Sequence, residues 1–304
     1  MSASRAIGVD LGGTKILAGV VDRDGTVHRR QTRRTVTSSQ EALLEALDEV
    51  VEALLDEDVA ALGFGICSQI DQRSGRAVSS VHVPLAGVDF RDRMAAKFGL
   101  PIRIDNDGNV AAIAEWRLGA GRGASTLVMV TLGTGIGGGL ILEGKPFRGS
   151  VGGGAELGHM VLDYGGPPCS GNCTGHGHFE ALAAGSVADR LAARRFGERA
   201  NAKRLVDEAE AGDPGAAADL AELGSRLGAG IGSLVNIFNP EVVIVGGGFA
   251  NAGELLLGPA REALAVEALP LPREVVRVVA AELGPDAGMV GAALVAFEAL
   301  DGSS

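Results

Sequence analysis

Residues 7–21 read IGVDLGGTKILAGVV, and residues 127–142 read LVMVTLGTGIGGGLIL. In each, apolar and small residues alternate with period two, a Leu-Gly turn rich in Gly and Thr interrupts, and the alternation resumes. That is a strand, a tight turn and a second strand. At an offset of 121 positions (132 minus 11), Leu11-Gly12 lies on Leu132-Gly133 and Asp10 on Thr131. A repeat at that distance implies two domains of like topology facing each other, joined near 117–124.

Asp24-Gly25 marks a further turn, so three strands are expected in succession from residue 7. SQEALLEALDEVVEALLD (39–56) has apolar residues at helical spacing behind a Ser cap. VAALGFGIC is a buried strand, VDFRDRMAAKFG a helix stopped by Gly99, PIRIDND a strand ending in acids, and GNVAAIAEWRLG a helix. After the repeat come a helix at 180–196, helices across 204–238, the strand EVVIVGGG, a helix at 251–266 and the strand VVRVVA. A last helix, 288–301, is long enough to return to the first domain. Strands alternating with helices, twice over, give an α/β protein of two domains around a cleft. Residues 1–117 with 288–304 are expected to form the smaller domain, and 118–287 the larger.

The chain has 304 residues and a formal charge of −11, which speaks against a surface built for nucleic acid. No apolar run approaches the ~18 residues of a membrane span, and MSASRAIGVDLGG has neither a charged n-region nor a cleavage site. Three cysteines do not make a disulfide framework. The expectation is a soluble, cytoplasmic protein with no nucleic-acid or membrane partner.

A Gly-rich turn between strands frees backbone N–H groups with no Cβ in the way, and such a nest holds phosphate. Two of them suit a nucleoside triphosphate. Gly133, Gly135 and Gly138 also match GxGxxG, but a strand follows where that dinucleotide fingerprint needs a helix. GLILEGKP fails as a P-loop because Pro146 replaces the metal-binding hydroxyl. VIVGGGFANAG, a third glycine run, follows a strand and precedes a helix, where a nucleotide can sit.

Asp105, Asn106 and Asp107 stand where a buried strand turns into a helix. One of them is expected as the N-cap. Phosphoryl transfer to an alcohol also calls for a carboxylate that accepts the hydroxyl proton, and an amide beside it can donate to and accept from hydroxyls. Divalent-metal binding through Asp10 and the phosphates is the other use of such acids. Finally, AELGHMVLDYGGPPCSGNCTGHGHFEAL (155–182) holds two of the three cysteines and three of the five histidines, a cluster of metal-ligand type.

DLGGTK (10–15), DNDGNVAAIAE (105–115), TLGTGIGGG (131–139), GAELGHM (154–160) with its cysteine knot, and NPEVVIVGGG (239–248) occur in that order. Together they resemble the ROK family of sugar kinases and repressors, and within it the bacterial ATP-dependent glucokinases. The resemblance implies a two-domain actin/hexokinase-like (ribonuclease H-like) fold. It also implies Mg²⁺- and ATP-dependent phosphorylation of a hexose, glucose to glucose 6-phosphate. N-acetylmannosamine, N-acetylglucosamine or fructose kinases and a non-catalytic sugar sensor are the alternatives. Carried over, Asp107 is the catalytic base. Asn106, Asp107, Glu156, His159 and Glu180 contact the sugar. Asp10, Gly12, Gly13, Thr14 and Lys15 form the first phosphate loop, Thr134 and Gly135 belong to the second, and Gly246, Gly247 and Gly248 flank the adenosine. Relatives are often dimers, so a homodimer is expected. The repressor branch carries a DNA-binding helix-turn-helix ahead of DLGGTK; with nine residues before Asp10, this sequence is expected to lie outside it.

In the family, a C-x-C-G-x-x-G-C-x-E loop after GH holds a structural zinc. Here the spacing is Cys169-x3-Cys173 and His178 stands for the last Cys, so His159, Cys169, Cys173 and His178 make a Cys₂His₂ set, with His176 as rival for the fourth place. Four protein ligands leave no open position, so the zinc is expected to clamp the loop that presents Glu156 and Glu180. There are two further departures from the family: GICSQID (65–71) replaces a Pro/Gly-rich turn, and His82, close to the expected sugar pocket, stands where relatives usually show Asn. Cys67 reads as a small buried apolar residue, and Trp116 and Tyr164 as packing residues.

Overall fold

The computed structural model describes residues 5–80, 82–171 and 173–302. It comprises two compact units, Met1–Gly123 with Pro146–Ala155 and Leu283–Ser304, and Ala124–Lys145 with Glu156–Glu282. The divisions thus fall at 123/124 and 282/283, a few residues from the expected 117/118 and 287/288. Residues 146–155 count with the first unit although both flanking segments count with the second.

In the first unit, β1 (Arg5–Leu11), β2 (Lys15–Val21) and β3 (Val27–Arg34) form an antiparallel ribbon. α1 (Gln40–Glu52), capped by Ser39 whose hydroxyl accepts from Ala42 N at 3.1 Å, leads to β4 (Val59–Ile66), parallel to β1. A small hairpin, β5 (Gln69–Asp71) and β6 (Arg76–Ser79), was not anticipated. α2 (Phe90–Phe98) ends at Gly99 in the left-handed region (φ 65°) and returns to β7 (Ile102–Asn106), parallel to β4, which runs directly into α3 (Asp107–Leu118). The strand order is β3-β2-β1-β4-β7.

The second unit repeats this plan. β8 (Leu127–Leu132) and β9 (Ile136–Leu142) are antiparallel, and β10 (Lys145–Pro146) neighbours β9. The helix expected over 180–196 is two helices, α4 (Phe179–Ala183) and α5 (Gly185–Phe196). Ala184 is extended there (φ −72°, ψ 163°), which points the Gly185 N–H at Gly133 O (2.9 Å) and the Ser186 N–H at Thr134 O (3.3 Å). α6 (Ala202–Glu210) and α7 (Pro214–Phe238) lead to β11 (Val242–Gly246), parallel to β8. α8 (Glu254–Glu267), α9 (Pro270–Val275) and β12 (Arg277–Ala280), parallel to β11, complete an order of β10-β9-β8-β11-β12. The repeat seen in two turns extends to the whole sheet.

The chain then rejoins the first unit as α10 (Ala287–Leu300). Alternation along β1 and β4 explains how it is received. Ile7, Val9 and Leu11 with Leu62, Phe64 and Ile66 face one side, where Leu43, Leu47, Phe90 and Met94 of α1 and α2 complete a core of large side chains. Ala6 and Ala61 face the other side and pack with Ala293, Ala296 and Phe297 of α10. A Cβ at residue 63 would overlap the carbonyl oxygen of Ala292, so glycine there lets helix and sheet approach closely.

Candidate active site

The same alternation places Asp10 on the α10 face of β1. Its carboxylate lies at the start of that helix, where a Cβ at residue 288 would come within 2.6 Å of it. Burial, and next the charge of Asp107, hold the Asp10 carboxyl up at about 7, against the pull of Lys15. The first glycine turn follows. Gly12 N donates to Lys15 O (3.0 Å), and Thr35 fastens the turn from outside, its hydroxyl donating to Gly12 O (2.7 Å) and its N–H to Thr14 O (3.0 Å). His82 is exposed and lies beside Gly13, a Cβ on which would come within 2.9 Å of the His82 Cβ. Burial and both nearby carboxylates push the Cys67 thiol far above its ordinary value, which suits an inert apolar residue.

At the end of β7 the three polar residues divide their work. Asp105 is fully buried; Oδ1 accepts from Asn106 N (2.8 Å), Asn109 Nδ2 (2.9 Å) and Gln72 Nε2 (3.2 Å), and Oδ2 from Arg148 Nε (2.6 Å). Asn106 is the N-cap of α3, its carbonyl accepting from Gly108 N (2.8 Å) and Asn109 N (3.3 Å) while Nδ2 donates to Ser68 O (3.4 Å). Asp107 opens the helix, and Oδ1 accepts from Gly108 N at 3.0 Å. Burial raises its carboxyl above the usual range, opposed by the Gly108 N–H and, more weakly, by His82.

In the second unit, Gly133 N donates to Gly135 O (2.9 Å) inside the second turn. Gly246 ends β11, and Gly247 (φ 88°) brings the third glycine run against Leu132, whose carbonyl a Cβ would overlap. Thr134, Gly135, Gly246, Gly247 and Gly248 therefore belong to one region. Glu180, on the first turn of α4, has both oxygens engaged: Oε2 accepts from Ile136 N (2.9 Å) and Oε1 from Ser170 Oγ (2.5 Å). Glu156 is exposed at the head of a short 3₁₀ turn, Leu157–His159. Ala155 before it is left-handed (φ 64°), a conformation that strains an L-residue.

His159, Cys169, Cys173 and His178 converge, with one ligand atom of each within 4.8 Å of all the others. His159 Nδ1 and His178 Nδ1 are 3.2 Å apart, Cys173 Sγ and His178 Nδ1 3.5 Å, and Cys169 Sγ and His159 Nδ1 3.8 Å. A tetrahedral zinc with Zn–N and Zn–S bonds of about 2.0 and 2.3 Å needs ligand edges of about 3.3 to 3.8 Å, so the set fits. Burial, Cys173 and Glu180 push the Cys169 thiol up to about 11, a penalty on the thiolate that a bound cation reverses. Of the two rival histidines, His178 is buried and belongs to the converging set, whereas His176 is exposed and does not.

Residues 6–299 match the ROK family. The chain belongs to the ROK family. A glucokinase of Thermotoga maritima is 35% identical over 319 residues, 99% of this chain and 100% of the relative. The crystal structure of a ROK family glucokinase from Streptomyces griseus in complex with glucose and AMPPNP aligns with a TM-score of 0.88 at 33% identity, covering 97% of this chain and 100% of that one. The ROK hexokinase of Thermus thermophilus aligns at 0.85 and 36%, covering 98% and 99%. The fold is accordingly the actin/hexokinase-like one that the motifs implied.

Several supporting residues of this ROK chain carried no sequence signal. Arg148 and Gln72 hold Asp105 from 43 and 33 positions away, and Ser170 and Ile136 hold Glu180. Thr35, which fastens the first turn from 23 positions away, carried none either. Tyr164 is 98% exposed and is not a packing residue. Trp116 is half-buried under the Arg117 guanidinium, 4.2 Å from the ring centre.

Proposed function

We propose that this chain transfers the γ-phosphoryl group of ATP to the 6-hydroxyl of a hexose, and that glucose is its substrate. The observation that carries the proposal is Asp107, a carboxyl raised by burial, set on the first turn of a helix beside Asp10 and the first glycine turn. Its Oδ1 is steadied by the Gly108 N–H, and Oδ2 accepts the sugar proton as the hydroxyl attacks. Asp10, itself held near 7 beside a second carboxylate, is the group whose charge a cation would relieve, so it suits Mg²⁺. Bound with ATP, Mg²⁺ neutralises charge on the phosphate oxygens. Gly12, Gly13, Thr14 and Lys15 receive phosphates; Thr134, Gly135, Gly246, Gly247 and Gly248 seat the rest of the nucleotide. Glu156, His159 and Glu180 contact sugar hydroxyls, as does Asn106 through what its capping role leaves of the amide.

Zinc at His159, Cys169, Cys173 and His178 is structural, since four protein ligands leave no position for water. With Nδ1 of His159 turned to the metal, Nε2 serves the sugar. Metal analysis should find one zinc per chain, lost in Cys173→Ser. The protein acts in the cytoplasm as a homodimer, for which exposed Ile237, Val266, Leu269, Leu271 and Val275 offer apolar surface. The acidic charge is consistent with no nucleic-acid partner, and no helix among the described residues is long and apolar enough to cross a membrane.

The test is ADP release with glucose, N-acetylmannosamine, N-acetylglucosamine and fructose. Glucose should give the highest kcat/KM. His82 beside Gly13 favours the second reading, a ROK kinase for one of the other three, and a different leading sugar would establish it. Sugar binding with no ADP release from any of them would leave a non-catalytic sensor and refute the kinase.

A further inference from the structure

We infer that Glu180 is a positioning residue for the second glycine turn, so that the metal knot governs nucleotide binding as well as sugar binding. The inference rests on reading that turn as part of the nucleotide site. Glu180 lies two residues after His178, and Ser170 next to Cys169, so the carboxylate is joined to the knot through both neighbours. Oε1 takes the Ser170 hydroxyl at 2.5 Å and lies 3.9 Å from Cys169 Sγ. Oε2 takes the N–H of Ile136 at 2.9 Å, the first residue after the turn. Gly135 permits this approach, since a Cβ there would overlap Oε2.

The opposite end of the same residue is gripped too. A Cβ on Gly158, which precedes His159, would overlap Ile136 O. Segments flanking two metal ligands thus close on both the N–H and the C=O of Ile136. The preceding carbonyls, Gly133 O and Thr134 O, accept from the first amides of α5. The peptide planes of 133–136 are therefore set from two sides, and the knot supplies one of them. A charge-assisted bond to a fixed carboxylate orients an amide more firmly than a neutral one does. A phosphate nest depends on how its amides are aimed.

The experiment is calorimetric titration of Mg²⁺–ADP into hexose-free protein, with zinc content and Tm measured for each sample. Glu180→Ala should weaken ADP binding about tenfold, the size usual for loss of a supporting hydrogen bond behind a site. Glu180→Gln, whose amide oxygen can take the Ile136 N–H and whose NH₂ can donate to Ser170 Oγ, should restore most of it. Ser170→Ala should fall between. Wild-type protein stripped by a chelator should lose ADP affinity like Glu180→Ala and regain it when zinc is returned. Unchanged ADP affinity in Glu180→Ala, with hexose affinity collapsed, would assign Glu180 to the sugar alone and overturn the inference. If Glu180→Ala does not fold, unchanged affinity in both Ser170→Ala and stripped protein overturns it. A wild-type protein that binds hexose but no nucleotide refutes the kinase reading itself, and this inference with it.

Discussion

The two glycine turns share a backbone plan and differ in what surrounds them. At 11–15 the turn follows a carboxylate, Asp10, ends in a cation, Lys15, and is fastened by the hydroxyl and N–H of one threonine, Thr35, just beyond the end of β3. At 132–136 the residue matching Asp10 is neutral Thr131, and the fastening comes from a carboxylate, a helix start and a third glycine run. Duplication kept the bend and separated the charges. The lesson is that a repeated motif predicts the course of the backbone, while the neighbours decide which groups surround each copy.

The comparison breaks most easily at the acid. Asp107→Asn should fold, bind sugar and lose about 10²- to 10⁴-fold in kcat. Undiminished turnover in that variant removes the base from the first half and leaves the two turns functionally alike.

Asp10 sharpens the contrast through pH. Its folded value of about 7 lies above its ordinary 3.8, so the fold favours the protonated form. The associated stability is fully present below about 4, drains away as pH rises, and is gone above about 7. In Mg²⁺-free buffer, Asp10→Asn should therefore be more stable than wild type at pH 8, with the gap shrinking towards pH 4, and inactive throughout. Thermal unfolding across that range checks it, and a pH-independent gap would show that Asp10 carries no raised titration.

The smallest effect is expected at Thr35. Thr35→Val removes the bond to Gly12 O, worth about 1 kcal/mol, and should raise the KM for ATP a few-fold without altering zinc content. Loss of zinc there would mean that the two supports are not separate.

How much of this could be read beforehand follows from the range of each interaction. Period-two patterns and glycine turns are local, so the longer strands, the doubled topology and the return of the last helix were legible, while the short strands β5, β6 and β10 were not. The break at Ala184 was not, because its cause is a carbonyl at residue 133. Spacing allowed either His176 or His178 at the knot; the folded loop separates them, bringing His178 into the converging set. The place of Asp107 at a strand-to-helix junction was legible because the strand pattern ends and the helical pattern begins there. The ion pair of Asp105 with Arg148 was missed, since 43 residues separate its members and no pattern joins them.

The passage of α10 back to the first sheet sets a timetable for the growing chain. Ala6 and Ala61 keep their apolar face uncovered until Ala293 and Ala296 are made, long after residue 123 has left the ribosome. At ordinary elongation rates that interval is on the order of 10 s. During it the nascent first half is a natural client for a chaperone. Release of the last twenty or so residues, rather than completion of the first domain's strands, is the event that ends its exposure.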